Sequence, residues 1–403
     1  LRETEFREAV QSGLGRAFLY AQEQDVTPYR DIILDACLHC YSVDEQFEGT
    51  RAPYMYRLIS VTREPEFYRS EVLNSLSNAA DDVDTVQRFR IASYWANDGD
   101  LQAREALYAN FKPGPRTGEH TCIDLLDLDG VDGFLHGARA MGSLLLTLPD
   151  QVDSGLLLWH ATEAFGEERT FAILEEAAKS DVLIEAYRSD ALAPPCSRTN
   201  ELGSLRRWSK NATDEELERA AIALRNASDP REQLRGLAIF SCRAFPGDPD
   251  VLQRFSHSPD ERVAGAAFMA LSQVTHASIR PLAFHLTKNR HAGRVNAIAM
   301  LTNNYEPGDY AIAAEWFRAE QDRHGRHYLG LDLWTIGENH PDEVDQIAML
   351  LLLYERTPCS SCRNHVVRKL IERGPVPDAI TFECMHDADD ETQKLFKVRR
   401  DSN

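Results

Sequence analysis

The chain has 403 residues, of which 27% are charged and 43% hydrophobic, a composition with room for two or more folded domains or one long array. Its net charge of −20 repels a phosphate backbone, which argues against nucleic acid as the main partner unless a local basic patch overrides the average field. The longest apolar run, Ile347 to Tyr354, is far shorter than the roughly 18 residues of a membrane span, and eight cysteines are too sparse for a disulfide framework. We therefore expect a protein of the reducing cytoplasm with no membrane contact.

In chain order, the apolar spacing of Phe6, Val10, Leu14 and Phe18 predicts an opening amphipathic helix over 1–22. Thr27-Pro28 starts a second helix to about Tyr41, with Ile33, Cys37 and Cys40 on one face. A loop over 43–51 precedes the aromatic, buried stretch Tyr54–Val61 and a helix over Glu64–Asn78. Asp82–Trp95 and Gly99–Phe111 form a pair, and Lys112-Pro113-Gly114-Pro115-Arg116 marks a loop. Helices resume over Val131–Leu146, Ser154–Phe165 and Glu167–Arg188. Pro194-Pro195 marks the main boundary, giving a helical N-terminal half over 1–190, a linker over 191–210 and an array over 211–403. Later pairs are Ile279–Leu286 with Asn289–Leu301, Asp309–Glu320 with His327–Ile336, and Asp342–Tyr354 with Pro358–Arg373. Asp378–His386 and Asp389–Lys397 close the chain. Glycine and proline are expected at the joints, and with no sustained period of two the chain is read as all-α.

The stretch from Thr213 to Val274 carries the clearest grammar. Thr213 and Glu216 form a capping box ahead of the stripe Leu217, Ala220, Ala221 and Leu224. Asp229-Pro230-Arg231-Glu232 starts the next helix, and Ser258-Pro259-Asp260-Glu261 repeats that signal 29 residues later. Val263, Ala266, Ala267, Ala270, Leu271 and Val274 then share one face. Asp260, Arg262-Val263, Ala266, Ala270 and Leu271 resemble the second helix of the HEAT-repeat family and its phycobilisome-lyase-type relatives, with the Val-Arg pair inverted. The resemblance spans about Thr213 to Leu395. It implies an α-solenoid of stacked antiparallel helix pairs, in which each unit of about 30–40 residues must stack on a neighbour to bury its apolar face.

Several residue groups could carry chemistry. Cys359-Ser360-Ser361-Cys362, with Cys384 and His386 downstream, has the donor types of a tetrahedral zinc site. Against that, Cys359, Cys362, Val366 and Leu370 lie on one helical stripe, where cysteine acts as a small apolar residue. A redox role for the C-x-x-C lacks its usual βαβ context. Asp124, Asp127, Asp129 and Asp132 match no calcium-loop register and read instead as acids at a helix N-terminus. His324 and His327 lie near Glu315, Glu320 and Asp322, but the chain has none of the His-Glu dipeptides of HEAT-like di-iron hydroxylases. Lys288–Arg294 and two other short basic spots read as solvated surface.

The strongest binding patch is Tyr305, Asp309, Tyr310, Trp316, Arg323, Arg326, Tyr328, Asp332 and Trp334, because Trp, Tyr and Arg dominate interface hot spots. Each aromatic taken singly fits better a core position between helix pairs, and of the set one or two are expected to reach the surface. The expected function is a non-enzymatic scaffold or adaptor that binds a basic or mixed-charge protein on its concave surface. The alternatives are a metal protein or enzyme using Cys359, Cys362, Cys384 and His386 or a pocket near Trp316, and a helical-repeat enzyme of glycosylase type, which would need a basic groove.

Overall fold

Several helices begin at a side-chain cap, among them those started by Asp82, Asp100, Asp181 and Thr213. The computed structural model describes the whole chain except residues 45–47, 79, 81, 116, 149–154, 193–200, 289–291 and 401–403. The chain is all-α, and among the described residues there is no strand. No helix among them is long and apolar enough to cross a membrane. Two compact units are formed, one from Leu1–Cys196, Cys359–Asn364 and Pro375–Asn403, the other from Ser197–Pro358 and His365–Gly374.

The first unit opens with α1 (Glu3–Ser12) and α2 (Gly15–Glu23). The single expected helix is split, because Gly13 adopts φ 67°, ψ 32° and ends α1 in a left-handed cap. A 3-10 turn at Thr27–Tyr29 leads into α3 (Arg30–Leu38), followed by α4 (Ala52–Ser60), α5 (Pro65–Ser75), α6 (Val83–Asn97) and α7 (Leu101–Asn110). Asp82 and Asp100 cap α6 and α7 by accepting from Thr85 and Ala103 amides. Next come α8 (Gly118–Asp129), α9 (Val131–Thr147), α10 (Gly155–Phe165), α11 (Glu167–Ala178) and α12 (Val182–Ala191). The helix expected over 167–188 is broken at Asp181, whose carboxylate accepts from the Leu183 and Ile184 amides and starts α12.

Two cores fill this part of the unit. Leu73, Phe89, Ala92, Ala103, Leu107 and Leu125 join α5 to α8. Cys122, Phe134, Ala138, Met141, Leu157, Leu174 and Tyr187 join α8 to α12. Glycines are not confined to joints. A Cβ on Gly133 would lie 1.9 Å from the Leu125 carbonyl oxygen, and one on Gly142 would lie 1.8 Å from that of Leu183, so α9 approaches its neighbours closer than alanine allows.

The C-terminal helices α24 (Asp378–Cys384) and α25 (Asp390–Arg400) belong to this same unit, and α24 packs on α2. One division, between Cys196 and Ser197, falls within the expected 191–210, while residues 359–364 and 375–403, expected in the array, group with the first unit. A Cβ on Gly15 would meet the Glu383 carbonyl oxygen at 1.8 Å, and the Ala388 amide donates to the Gly13 carbonyl at 2.8 Å. Burial of polar groups specifies this closure. Arg363, fully buried, donates to both carboxylate oxygens of buried Asp387 at 3.1 Å and to the Gly13 carbonyl at 3.2 Å. Arg51 donates to the Ser12 carbonyl at 2.8 Å and to Glu48 at 2.8 Å. Two guanidinium groups thus sit on the C-terminal carbonyls of α1, where the helix dipole favours cations.

The second unit contains α13 (Glu201–Asn211), α14 (Asp214–Asn226), α15 (Pro230–Phe240), α16 (Asp250–Ser256), α17 (Glu261–Leu271), α18 (Ile279–Lys288), α19 (Ala297–Thr302), α20 (Asp309–Ala319), α21 (Arg323–Asn339) and α22 (Gln346–Arg356). Helix α23 (Ser360–Arg373) follows α22, with residues 360–364 in the first unit and 365–373 in the second. Residues 201–210 of the expected linker are helical, while Pro194-Pro195 lie outside the described residues. The Thr213–Glu216 box forms, with the Glu216 amide donating to the Thr213 hydroxyl at 3.3 Å and the Thr213 amide to the Glu216 carboxylate at 2.8 Å. Asp229 and Asp260 cap α15 and α17. Helix α16 falls in a stretch where no helix was expected. Among the described residues of the run 289–301, a 3-10 turn spans Ala292–Asn296 and the short α19 begins at Ala297.

Contacts in this unit follow a regular order. Helices α14, α16, α18 and α20 each pack on the next helix, α15, α17, α19 and α21. Helices α13, α15 and α17 pack in succession, α17 touches the Ala292–Asn296 turn, that turn touches α21, and α19 packs on α21.

Candidate functional site

The expected partner-binding residues separate into interior and surface. Asp309, at the start of α20, is 1% exposed and accepts from Arg280 at 2.8 and 3.1 Å. It also accepts from the Glu306 amide at 2.9 Å, so it is a structural anchor between helices. Arg326 is 5% exposed, which removes it from the surface. Trp316 is half-buried, meets Phe284 edge-on at 5.3 Å, and lines a cleft of about 360 Å³ with Arg294, Glu320 and Leu329. Tyr305 stacks on His340 at 3.7 Å and donates to Glu343 at 3.2 Å. Tyr310, Arg323, Asp332 and Trp334 are half-buried, and burial pushes the Asp332 carboxyl up to about 7.

Tyr328 alone of the set is well exposed, at 54%. It shares a stripe of α21 with exposed His324, Leu331 and Thr335, at the i, i+4, i+7, i+11 spacing of one helix face. Leu331, 45% exposed, was not among the expected residues. Its signal was available in the sequence as an apolar residue three positions from Tyr328. Met269 on α17 is also exposed, at 41%.

The expected metal residues do not assemble as a set of four. The sulfurs of Cys359 and Cys362 lie within 4.8 Å of each other, but Cys384 and His386 do not join them at ligand distance. Cys384 is fully buried, and His386 stacks on Phe18 at 4.4 Å, a packing role set by the approach of α24 to α2. The carboxylate of Glu320, weighed as a metal donor, is occupied by Arg294 at 2.9 Å and by the Gln321 and Asp322 amides at 2.9 Å. The same ion pair ties down Arg294 from the basic spot at 288–294, of which residues 289–291 lie outside the described ones.

Sequence reasoning missed a polar cleft in the first unit. It has a volume of about 450 Å³ and is lined by Arg90 and Tyr94 on α6, His120, Asp124 and Asp127 on α8, and His160 on α10. Asp124 does not sit at a helix N-terminus as expected. It lies mid-helix, 4% exposed, and accepts from Arg90 at 2.8 Å. Burial pushes its carboxyl up to about 6, against the opposing pull of Arg90. His120 is exposed at the rim, yet its imidazole is held below the usual range by partial burial and then by Arg90 and His160. An aspartate among Ile123, Leu125 and Leu126 was the available signal, because a carboxylate on a packed face needs a partner.

Compared with known proteins, the chain matches no family model, no curated protein and no solved structure.

Proposed function

We propose that the chain is a helical-repeat scaffold, built of stacked pairs resembling HEAT repeats, that binds a protein partner on the layer formed by α15, α17 and α21. The observation that carries this reading is the order of contacts in the second unit, where each helix of one series packs on the following helix of the other. That order is what a nearest-neighbour stack requires. The layer leaves Met269, Tyr328 and Leu331 in solvent, and tyrosine is among the residue types enriched at interface hot spots. With a net charge of −20, long-range attraction selects a partner that is basic or of mixed charge.

Affinity capture followed by a binding titration of the purified partner tests the reading. A stoichiometric partner is expected whose affinity falls at least tenfold in Tyr328→Ala/Leu331→Ala, and whose association slows as salt is raised. A partner bound equally well by that variant, or none at all, refutes it.

A second reading is favoured by the Arg90–Asp124 cleft, which joins a buried ion pair to two histidines in a concave site. It makes the first unit a binder of small polar molecules. A thermal-shift screen against polar metabolites should then give a hit lost on His160→Ala.

A further inference from the structure

Cys359 immediately precedes α23 and is 1% exposed, while Cys362, on the first turn of that helix, is part-exposed. Their sulfurs lie within 4.8 Å, and the Cys362 amide donates to the Cys359 sulfur at 3.3 Å. The turn is pinned from outside, because the Ser360 amide and hydroxyl donate to Glu48 at 2.6 and 3.0 Å. A disulfide needs the sulfurs at about 2.05 Å, so the two side chains must rotate toward each other to close the remaining distance. The first cysteine lies outside the helix, so its side chain is free of the helical χ1 restriction that would hold it away from the second.

We propose that Cys359 and Cys362 are a reversible dithiol–disulfide couple at the start of α23, exchanging electrons with low-molecular-weight disulfides. In the forward direction, Cys362, the accessible thiol, loses its proton. The thiolate attacks one sulfur of glutathione disulfide and expels one glutathione thiolate. Cys359 then loses its proton and attacks the Cys362 sulfur of the mixed disulfide, expelling the second glutathione thiolate. Two protein thiols give up two electrons and two protons, one disulfide bond forms, and glutathione disulfide is reduced to two thiols. Contact with Cys359, burial, and the carboxylates of Glu48 and Asp44 hold the Cys362 thiol well above its usual range, so the first step is slow at neutral pH.

Trypsin releases both cysteines in one peptide, Thr357–Arg363, which makes the test direct. The full chain is equilibrated in glutathione buffers of graded ratio, quenched in acid and alkylated with N-ethylmaleimide, and this peptide is weighed. Oxidation is expected to take it from two labels to none with the loss of two hydrogens, reversibly with dithiothreitol. The folded chain should oxidise at a glutathione disulfide fraction at least tenfold lower than the same chain in denaturant. In Cys359→Ser the peptide should stop at the Cys362–glutathione mixed disulfide. Two labels at every ratio would overturn the proposal. So would equal behaviour folded and denatured, or thiols that accept label only after a chelator removes a bound metal.

Discussion

Removing Arg363 should destabilise the first unit more than any other single side-chain truncation considered below. Arg363 and Asp387 are both 0% exposed, and the guanidinium makes two bonds to the carboxylate and one to the Gly13 carbonyl. In Arg363→Ala the Asp387 carboxylate stays buried and keeps the Asp389 amide at 2.9 Å as a donor. Breaking a buried pair this way costs about 3–5 kcal/mol, most of it the penalty of an uncompensated charge. Burial already raises the Asp387 carboxyl above its ordinary value, and Arg363 pulls it back down. Without Arg363 it rises further. A raised carboxyl disfavours the folded state once pH climbs past the unfolded value of about 3.9, so the loss in Arg363→Ala should grow between pH 4 and pH 7. Replacing both partners, as Arg363→Met/Asp387→Leu, should cost at least 2 kcal/mol less than the sum of the single changes, on the order of the coupling expected for contacting groups. Urea unfolding followed by far-ultraviolet circular dichroism at both pH values measures all three. A loss below about 1 kcal/mol at pH 7, or additive single and double variants, would refute the reasoning.

Three further outcomes can be checked in the same assay. Asp124, pushed up to about 6 by burial, makes stability fall as pH rises from about 4 to about 6, and Asp124→Asn should flatten that decline by roughly 3 kcal/mol; parallel pH curves would exclude it. Gly15→Ala places a methyl 1.8 Å from the Glu383 carbonyl oxygen and should cost about 1–3 kcal/mol, whereas a neutral result would mean that α2 and α24 do not touch. Thr213→Ala removes the hydroxyl that accepts from the Glu216 amide and should cost about 1 kcal/mol, seen as earlier unfolding of the second unit.

What the sequence made legible was local. Capping residues such as Thr213, Asp229 and Asp260 announce helix starts because their signal is complete within four positions. The breaks at Gly13 and Asp181 were not legible, because the apolar stripe runs on through both and a period of 3.6 does not register a change of helix. Helix α8 was missed for the opposite reason: its polar start looks like loop, and Asp124 looks like a surface acid until Arg90, 34 residues away, is placed against it. The residues of the expected binding patch divide between interior and surface. Asp309 and Arg326 are where charged residues hold helices together, and Tyr328 is where an aromatic reaches solvent. No pattern in one sequence separates those roles, since both satisfy the same spacing.

The cysteine pair and the polar core of the first unit can be tested against each other. Glu48 holds the Ser360 amide and also Arg51, and Arg363 stands one residue after Cys362, so the turn that would carry the disulfide belongs to the same buried network that closes the chain on α1. By linkage, if folding favours the disulfide over the dithiol by a given factor, the disulfide stabilises the folded state by that same factor. A tenfold difference in oxidation between folded and denatured chain therefore demands about 1.4 kcal/mol of extra stability in the oxidised protein. The two quantities come from different experiments, mass spectrometry of one peptide and urea unfolding of the whole chain. If the oxidised chain were no more stable than the reduced one while the tenfold preference held, the cycle would not close, and the oxidised peptide would have to arise from a partly unfolded form instead of the turn described above.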